Sequence, residues 1–276
     1  MDNPILVEVT RGAQVESWHR GAVAVVDADG AEVLTLGDVT TPIYPRSAVK
    51  AIQALPLVAS GAADRYGFGD EELALACASH SGEPAHVAVA GRMLARAGLD
   101  ASALACGAHW PMSQAAAQAL AGAPSVLHNN CSGKHAGFLC LACAAGVDHQ
   151  GYWRPDHPVQ IRVRAALQDL TGCALTQEGC AIDGCSVPTW AIPLTNLARA
   201  FAKFGTGRGL SREHAAAAER LRAACARKPW HVAGSGRFCT EIMQLFGARV
   251  LCEDRSRGCL LRGAATAGIG HRHQMR

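Results

Sequence analysis

Arg46-Ser47-Ala48-Val49-Lys50 sets a hydroxyl and an amine three residues apart. On a first helical turn residues so spaced share one face, which brings the lysine amine toward the serine hydroxyl. An amine that has given up its proton can accept the serine's, so the pair reads as a nucleophile with its base. The choice of cation supports this. Only four of the 26 basic residues are lysine, and two of those four lie in short polar motifs, this one and Asn130-Cys131-Ser132-Gly133-Lys134-His135. A compact amine can lose a proton where a guanidinium cannot.

Working outward, residues 47–61 carry apolar positions at Val49, Ile52, Leu55, Leu57 and Val58 that fit a helix broken or kinked by Pro56. Before them, Ile5–Val9, Ala22–Val26 and Glu32–Leu36 read as strands, the last two flanking the turn Asp27-Ala28-Asp29-Gly30 as in a hairpin. After them, helices are predicted over Asp70–Ala76, Pro84–Ala97, Ser113–Ala121, His135–Ala145, Asp156–Thr171 and Ser211–Arg227. The class is therefore α+β, with a helical middle over about 46–230 in a single domain of residues 1–250.

Composition narrows the function classes. The 276 residues are 49% hydrophobic and 18% charged, with a net charge of +3 spread along the chain and only 5% aromatics. Neither a basic track nor a stacking surface for nucleic acid is present. The N-terminus lacks a basic segment followed by an apolar stretch, and no apolar run approaches the roughly 20 residues that span a bilayer, so a cytoplasmic protein without membrane partners is expected. Twelve cysteines in a chain of this size are expected to be mostly buried thiols, Cys140 and Cys143 among them.

Five further polar motifs follow in order: Cys77-Ala78-Ser79-His80-Ser81, His128-Asn129-Asn130-Cys131-Ser132-Gly133-Lys134-His135, Gly151-Tyr152-Trp153-Arg154-Pro155-Asp156-His157-Pro158, Ile182-Asp183-Gly184-Cys185-Ser186-Val187-Pro188 and Gly234-Ser235-Gly236-Arg237-Phe238. With the serine–lysine motif, they resemble the rhizobial-type (class 3) L-asparaginase family over about residues 5–250. The resemblance implies a fold like the serine β-lactamases and penicillin-binding proteins, with an antiparallel sheet packed against helices. It also implies a homodimer that hydrolyses L-asparagine to L-aspartate and ammonia.

Carried over by motif, Ser47 is the nucleophile with Lys50 beside it, and Ser79 is the second serine of a proton relay. Arg46, His135 and Asp183 match positions around the substrate, where a cation would hold the α-carboxylate and an acid the α-ammonium. Cys131, Lys134 and Cys185 match a zinc site whose third protein ligand is a lysine. Two thiolates are ordinary zinc ligands, whereas an amine binds only once deprotonated. Read from the residues alone, the same three are buried thiols near a charged lysine.

The motif resemblance stops near Val250. There the family continues with a lysine-threonine-glycine strand whose lysine pairs with the second serine, followed by further strands. This chain has no lysine after Lys228, and residues 251–276 are rich in Arg, Gly and Cys without strand or helix period. Codons compatible with this tail, read one nucleotide later, give S-V-K-T-G-A-E-G-V-Y-C-A-A-L-P-Q-L-G-L-G-I-A-I-K-C. A frameshift near codon 250 is therefore expected, with an aberrant tail, missing C-terminal strands and impaired activity. Two alternatives stay open, a non-catalytic amino-acid-binding remnant and another serine acyl-enzyme such as a β-lactam hydrolase.

Overall fold

A computed structural model describes residues 3–253 and the backbone of 261–264. The N-terminal strands β1 (Ile5–Arg11), β2 (Gln14–Arg20), β3 (Val23–Val26), β4 (Glu32–Leu36) and β5 (Pro42–Ile43) precede a 3₁₀ turn at Arg46–Val49. Helices α1 (Lys50–Gln53), α2 (Leu55–Ala59), α3 (Ala62–Arg65), α4 (Asp70–Ala76), α5 (Pro84–Arg96), α6 (Gln114–Ala119), α7 (Ser132–Ala144) and α8 (Pro158–Thr171) follow. Strands β6 (Cys180–Ile182), β7 (Pro188–Trp190) and β8 (Ile192–Pro193) lead into α9 (Leu194–Thr206), α10 (Arg212–Arg227), α11 (Pro229–Val232) and α12 (Phe238–Phe246). The last described elements are β9 (Val250–Glu253) and β10 (Leu261–Ala264).

The core is helical. Helix α7 is buried along Ser132–Leu141 and on to Ala142, because apart from Lys134 and His135, which find polar partners, its residues there are apolar or small on every side. A Cβ at Gly133 would collide with the Leu75 carbonyl, so the missing side chain is what lets α7 close on α4. Helix α9 presents Leu197, Ala200, Phe201 and Phe204 to the same core. The break expected at Pro56 falls at Ala54, and Pro56 takes a place in the first turn of α2, where its missing N–H is no loss.

The expected single sheet is divided. Among the described residues the strands form five two-stranded antiparallel ribbons, β1–β2, β3–β4, β5–β8, β6–β7 and β9–β10. The first ribbon exposes Ile5, Leu6, Val7, Val9 and Trp18, an apolar surface that nothing in the described chain covers.

The expectation that the strands end by residue 250 is corrected. Strand β9 pairs with β10 in a register that sets Glu253 opposite Leu261 and Val250 opposite Ala264. Val250, Leu251, Cys252 and Glu253 are all buried, and a strand buried on both faces shows no alternation to read. The remainder of the tail, 254–260 and 265–276, lies outside the described residues.

Candidate active site

A cleft of about 340 Å³ is lined by Arg46, Ser47, Ser79, Asn129, Asn130, Cys131, Asp183, Cys185 and Arg237, with His109 and Met112 at its side. Arg46 is held at a positive φ of 51°, a conformation rare for a side chain of its size, directly before Ser47. Ser47 itself lies in a 3₁₀ turn, not at the head of a long helix, and its hydroxyl has no hydrogen-bond partner among the described residues.

The expected partner of Lys50, the Ser47 hydroxyl, is not among its hydrogen-bond acceptors. Lys50 opens α1 and is fully buried, and it reaches past the turn to the segment following α4. There its ammonium donates to Ala78 O at 2.6 Å, Ser79 Oγ at 3.0 Å and Asn130 O at 3.2 Å. All three N–H bonds of a lysine are thus engaged. Ser79 is fixed by its backbone N–H on Val232 O at 3.0 Å, and its hydroxyl donates in turn to Glu253 Oε1 at 2.6 Å. The place beside Ser79 is therefore filled by a carboxylate on β9.

Behind Ser79, His80 is neutral. It accepts from the Gly82 N–H at Nδ1 (3.1 Å) and shares Nε2 with Ser132 Oγ at 2.9 Å. Burial holds its pKa well below the usual histidine value.

The turn 183–187 between β6 and β7 supplies two site residues. Its tightness comes from Ser186, at φ 75°, and from the Asp183 N–H bond to Val187 O at 2.9 Å. Asp183 accepts from Arg46 Nε at 2.5 Å, an ion pair half shielded from water. The two groups expected to bind opposite ends of a substrate thus also bind each other. His135, expected around the substrate, is not among the residues that line the cleft. It is fully buried and shares Nδ1 with Tyr152 Oη at 2.6 Å, while its Nε2 has no conventional hydrogen-bond partner and faces the Cys185 sulfur. Burial lowers its pKa to about 4, against the pull of Cys185.

Cys131, Lys134 and Cys185 converge although they come from two distant segments. Lys134 Nζ donates to Cys185 Sγ at 3.2 Å, and the Cys131 thiol hydrogen-bonds to the same sulfur. That hydrogen bond and the nearby Lys134 hold Cys185 well below the usual thiol range, while the same bond and burial push Cys131 far above it. Burial draws Lys134 down, but the two sulfurs together outweigh it and raise its pKa. Among the described residues no three His, Cys, Asp or Glu side chains cluster, so a ligand set exists here only if the lysine is counted. Two sulfurs and an amine around one point fit a thiophilic divalent cation such as zinc.

Several residues that line the cleft, Arg237, His109 and Met112 among them, carried no assigned role in the sequence. Arg237 lay inside a quoted motif, whereas His109 and Met112 sit in His109-Trp110-Pro111-Met112, a loop with no periodic signal. Glu253 was hidden in the tail. Among the described residues no helix is long and apolar enough to cross a membrane. The family model described as L-asparaginase II matches residues 7–272, past the point at which the motifs cease. No curated protein matches the chain.

Proposed function

The chain belongs to the L-asparaginase II family, and from that premise we propose that it is a serine amidohydrolase of the rhizobial type that converts L-asparagine and water to L-aspartate and ammonia. The observation that carries this reading is the cleft itself. Ser47, whose hydroxyl has no hydrogen-bond partner among the described residues, lines one cleft with a second serine, Ser79, already tied to buried Lys50. Attack by Ser47 on the side-chain amide carbon would release ammonia and leave an ester that water then opens. Arg46 and Arg237 would hold the α-carboxylate and Asp183 the α-ammonium, which requires the Arg46–Asp183 pair to open toward substrate. His135, behind the cleft, would act on the substrate through Cys185.

Cys131, Lys134 and Cys185 would hold zinc, which would supply a fixed positive charge at the cleft wall where the substrate settles. The β-lactamase-like arrangement, with a single domain over 1–250, is supported by the serine–lysine turn next to a helical body. Homodimerisation is supported by the uncovered apolar ribbon β1–β2. A cytoplasmic location agrees with eleven described cysteines that are all free thiols. For the gene we propose a shift of frame near codon 250. In the restored frame a lysine falls at the position of Glu253, and the chain as written works below the restored one.

The test is ammonia release from L-asparagine, L-glutamine and, in parallel, cleavage of a chromogenic β-lactam, by the wild-type chain and by Ser47→Ala. Turnover of L-asparagine that disappears in Ser47→Ala is expected. Undiminished turnover by Ser47→Ala would overturn the serine mechanism, and cleavage of the β-lactam alone would overturn the substrate.

A further inference from the structure

Lys50, Ser79 and Glu253 form one buried chain of hydrogen bonds with a direction. Lys50 Nζ donates to Ser79 Oγ at 3.0 Å, and Ser79 Oγ donates to Glu253 Oε1 at 2.6 Å. Lys50 is 0% exposed, Glu253 3% and Ser79 6%. Every hydrogen of the amine is already given to an oxygen, so Lys50 offers no lone pair to the cleft. The group at the accepting end is the carboxylate. We propose that Glu253 is the residue that takes up the serine proton through Ser79, so that in this chain the relay's base is a carboxylate on β9 and Lys50 is its fixed cation.

The inference rests on Ser47 being the nucleophile. As Ser47 Oγ forms its bond to the amide carbon, its proton passes to the free lone pair of Ser79 Oγ, and the proton of Ser79 passes to Glu253 Oε1. Glu253 is then a neutral acid, and the negative charge has moved to the tetrahedral adduct. On collapse the carbon–nitrogen bond breaks and the proton returns from Glu253 through Ser79 to the departing nitrogen. Ammonia leaves, and Glu253 is a carboxylate again. No oxidant or further reactant is needed. Glu253 acts through Ser79 and does not touch the substrate, so it is a positioning residue that stores a proton.

Its surroundings suit that task. The ammonium of Lys50 lies on the far side of Ser79 and balances the charge of the carboxylate. On the α4 side the titratable neighbour is the Cys77 thiol, which is hydrogen-bonded to Cys225 of α10 and raised well above its usual range by that bond, by burial and by the charge of Glu253. From α12 the neighbouring strand residue Cys252 meets Cys239, sulfur to sulfur at 3.2 Å. Across Ser79, the described cation is Lys50.

The experiment uses the full chain and p-nitrophenyl acetate, whose burst of p-nitrophenolate reports acylation of Ser47 without depending on amide specificity. Variants are Glu253→Gln, which keeps the hydrogen-bond acceptor and removes the charge, Glu253→Asp and Ser47→Ala. Expected are a hundredfold or greater slowing of the burst in Glu253→Gln, in line with the roughly 10²–10⁴-fold effect of a general base, and partial recovery in Glu253→Asp. The acid limb of the wild-type pH–rate profile should vanish in Glu253→Gln, which a merely structural role would not produce. A wild-type burst rate in Glu253→Gln, with Ser47→Ala silent, overturns the role of Glu253 and leaves the serine reading standing. A burst that survives in Ser47→Ala, or is missing from the wild type, overturns both.

Discussion

Lys50 and Lys134 are both buried within the helical body, yet one ends among oxygen atoms and the other against sulfur. Around Lys50, two carbonyls and a hydroxyl take its three hydrogens, which fixes the amine as a donor and orients Ser79. Around Lys134, the Cys185 sulfur, whose pKa its neighbours hold well below the usual thiol range, accepts from the amine. Carbonyl oxygens cannot be exchanged for a metal's bond to the same nitrogen without leaving acceptors stranded. Sulfurs lose nothing of the kind, because they become ligands themselves. The elements facing each amine therefore separate a lysine that orients a reaction from one that can join a metal.

The largest effect expected from this contrast is on turnover. Lys50→Met should lower kcat/KM for L-asparagine by about 10²–10⁴-fold, whereas Lys134→Met should cost about tenfold through looser substrate placement. Steady-state assays of the two variants side by side decide it, and equal losses would erase the distinction.

Next in size is the response of metal binding to pH. Zinc must displace one proton from Lys134 and another from Cys131, so affinity should tighten about a hundredfold for each pH unit between 6 and 8. A competition titration against a chromophoric chelator measures this, with Cys185→Ser as the variant that should not bind. An affinity that changes only about tenfold per pH unit would remove the lysine from the ligand set.

His86 sharpens the comparison as a buried base whose hydrogen bonds run to backbone groups. It accepts from the Glu83 N–H at 3.2 Å, meets Trp230 O through Nε2 at 3.1 Å, and stacks on the Trp230 ring. Burial lowers its pKa to about 4, so the native state binds fewer protons than the unfolded chain below pH 6.5. Its contribution is complete above about pH 6.5 and is lost as pH falls toward 4, roughly 3 kcal/mol over the window. Chemical denaturation at stepped pH should show a shallower acid slope in His86→Gln. At the small end, Arg208 and Asp29 form an exposed pair at 2.7 Å. Arg208→Ala should change stability by less than about 0.5 kcal/mol in the same measurement.

The residues that meet at the cleft were legible because their types are chemically demanding. Ser47, Lys50, Ser79, Cys131, Lys134 and Cys185 stand in short polar motifs whose purpose an apolar core does not explain. How those side chains point was not legible. The spacing of Ser47 and Lys50 is compatible with an α-turn, but the 3₁₀ turn and the positive φ at Arg46 send the amine to Ser79 instead. Strand β2 went unread because Val15 and Trp18 are its only large apolar residues. Helix α9 went unread because it follows directly on β8, without a polar cap to announce it. Glu253 carried no local signal. Its meaning comes from Ser79, a partner remote in sequence.

That remoteness has a bearing on how the molecule is made. The Ser79–Glu253 bond closes a span of 174 residues and the Lys50–Asn130 bond one of 80, whereas the helices that frame the cleft form through contacts four residues apart. Closing long loops comes late, because their entropy must be lost before the contact returns anything. A nascent chain that has reached α12 already owns its nucleophile, its thiols and most of its core, but the proton has nowhere to go until β9 slides in beside Ser79. Chemical competence is then among the last properties the folding chain acquires, so refolding followed by a burst assay should lag behind refolding followed by helix content.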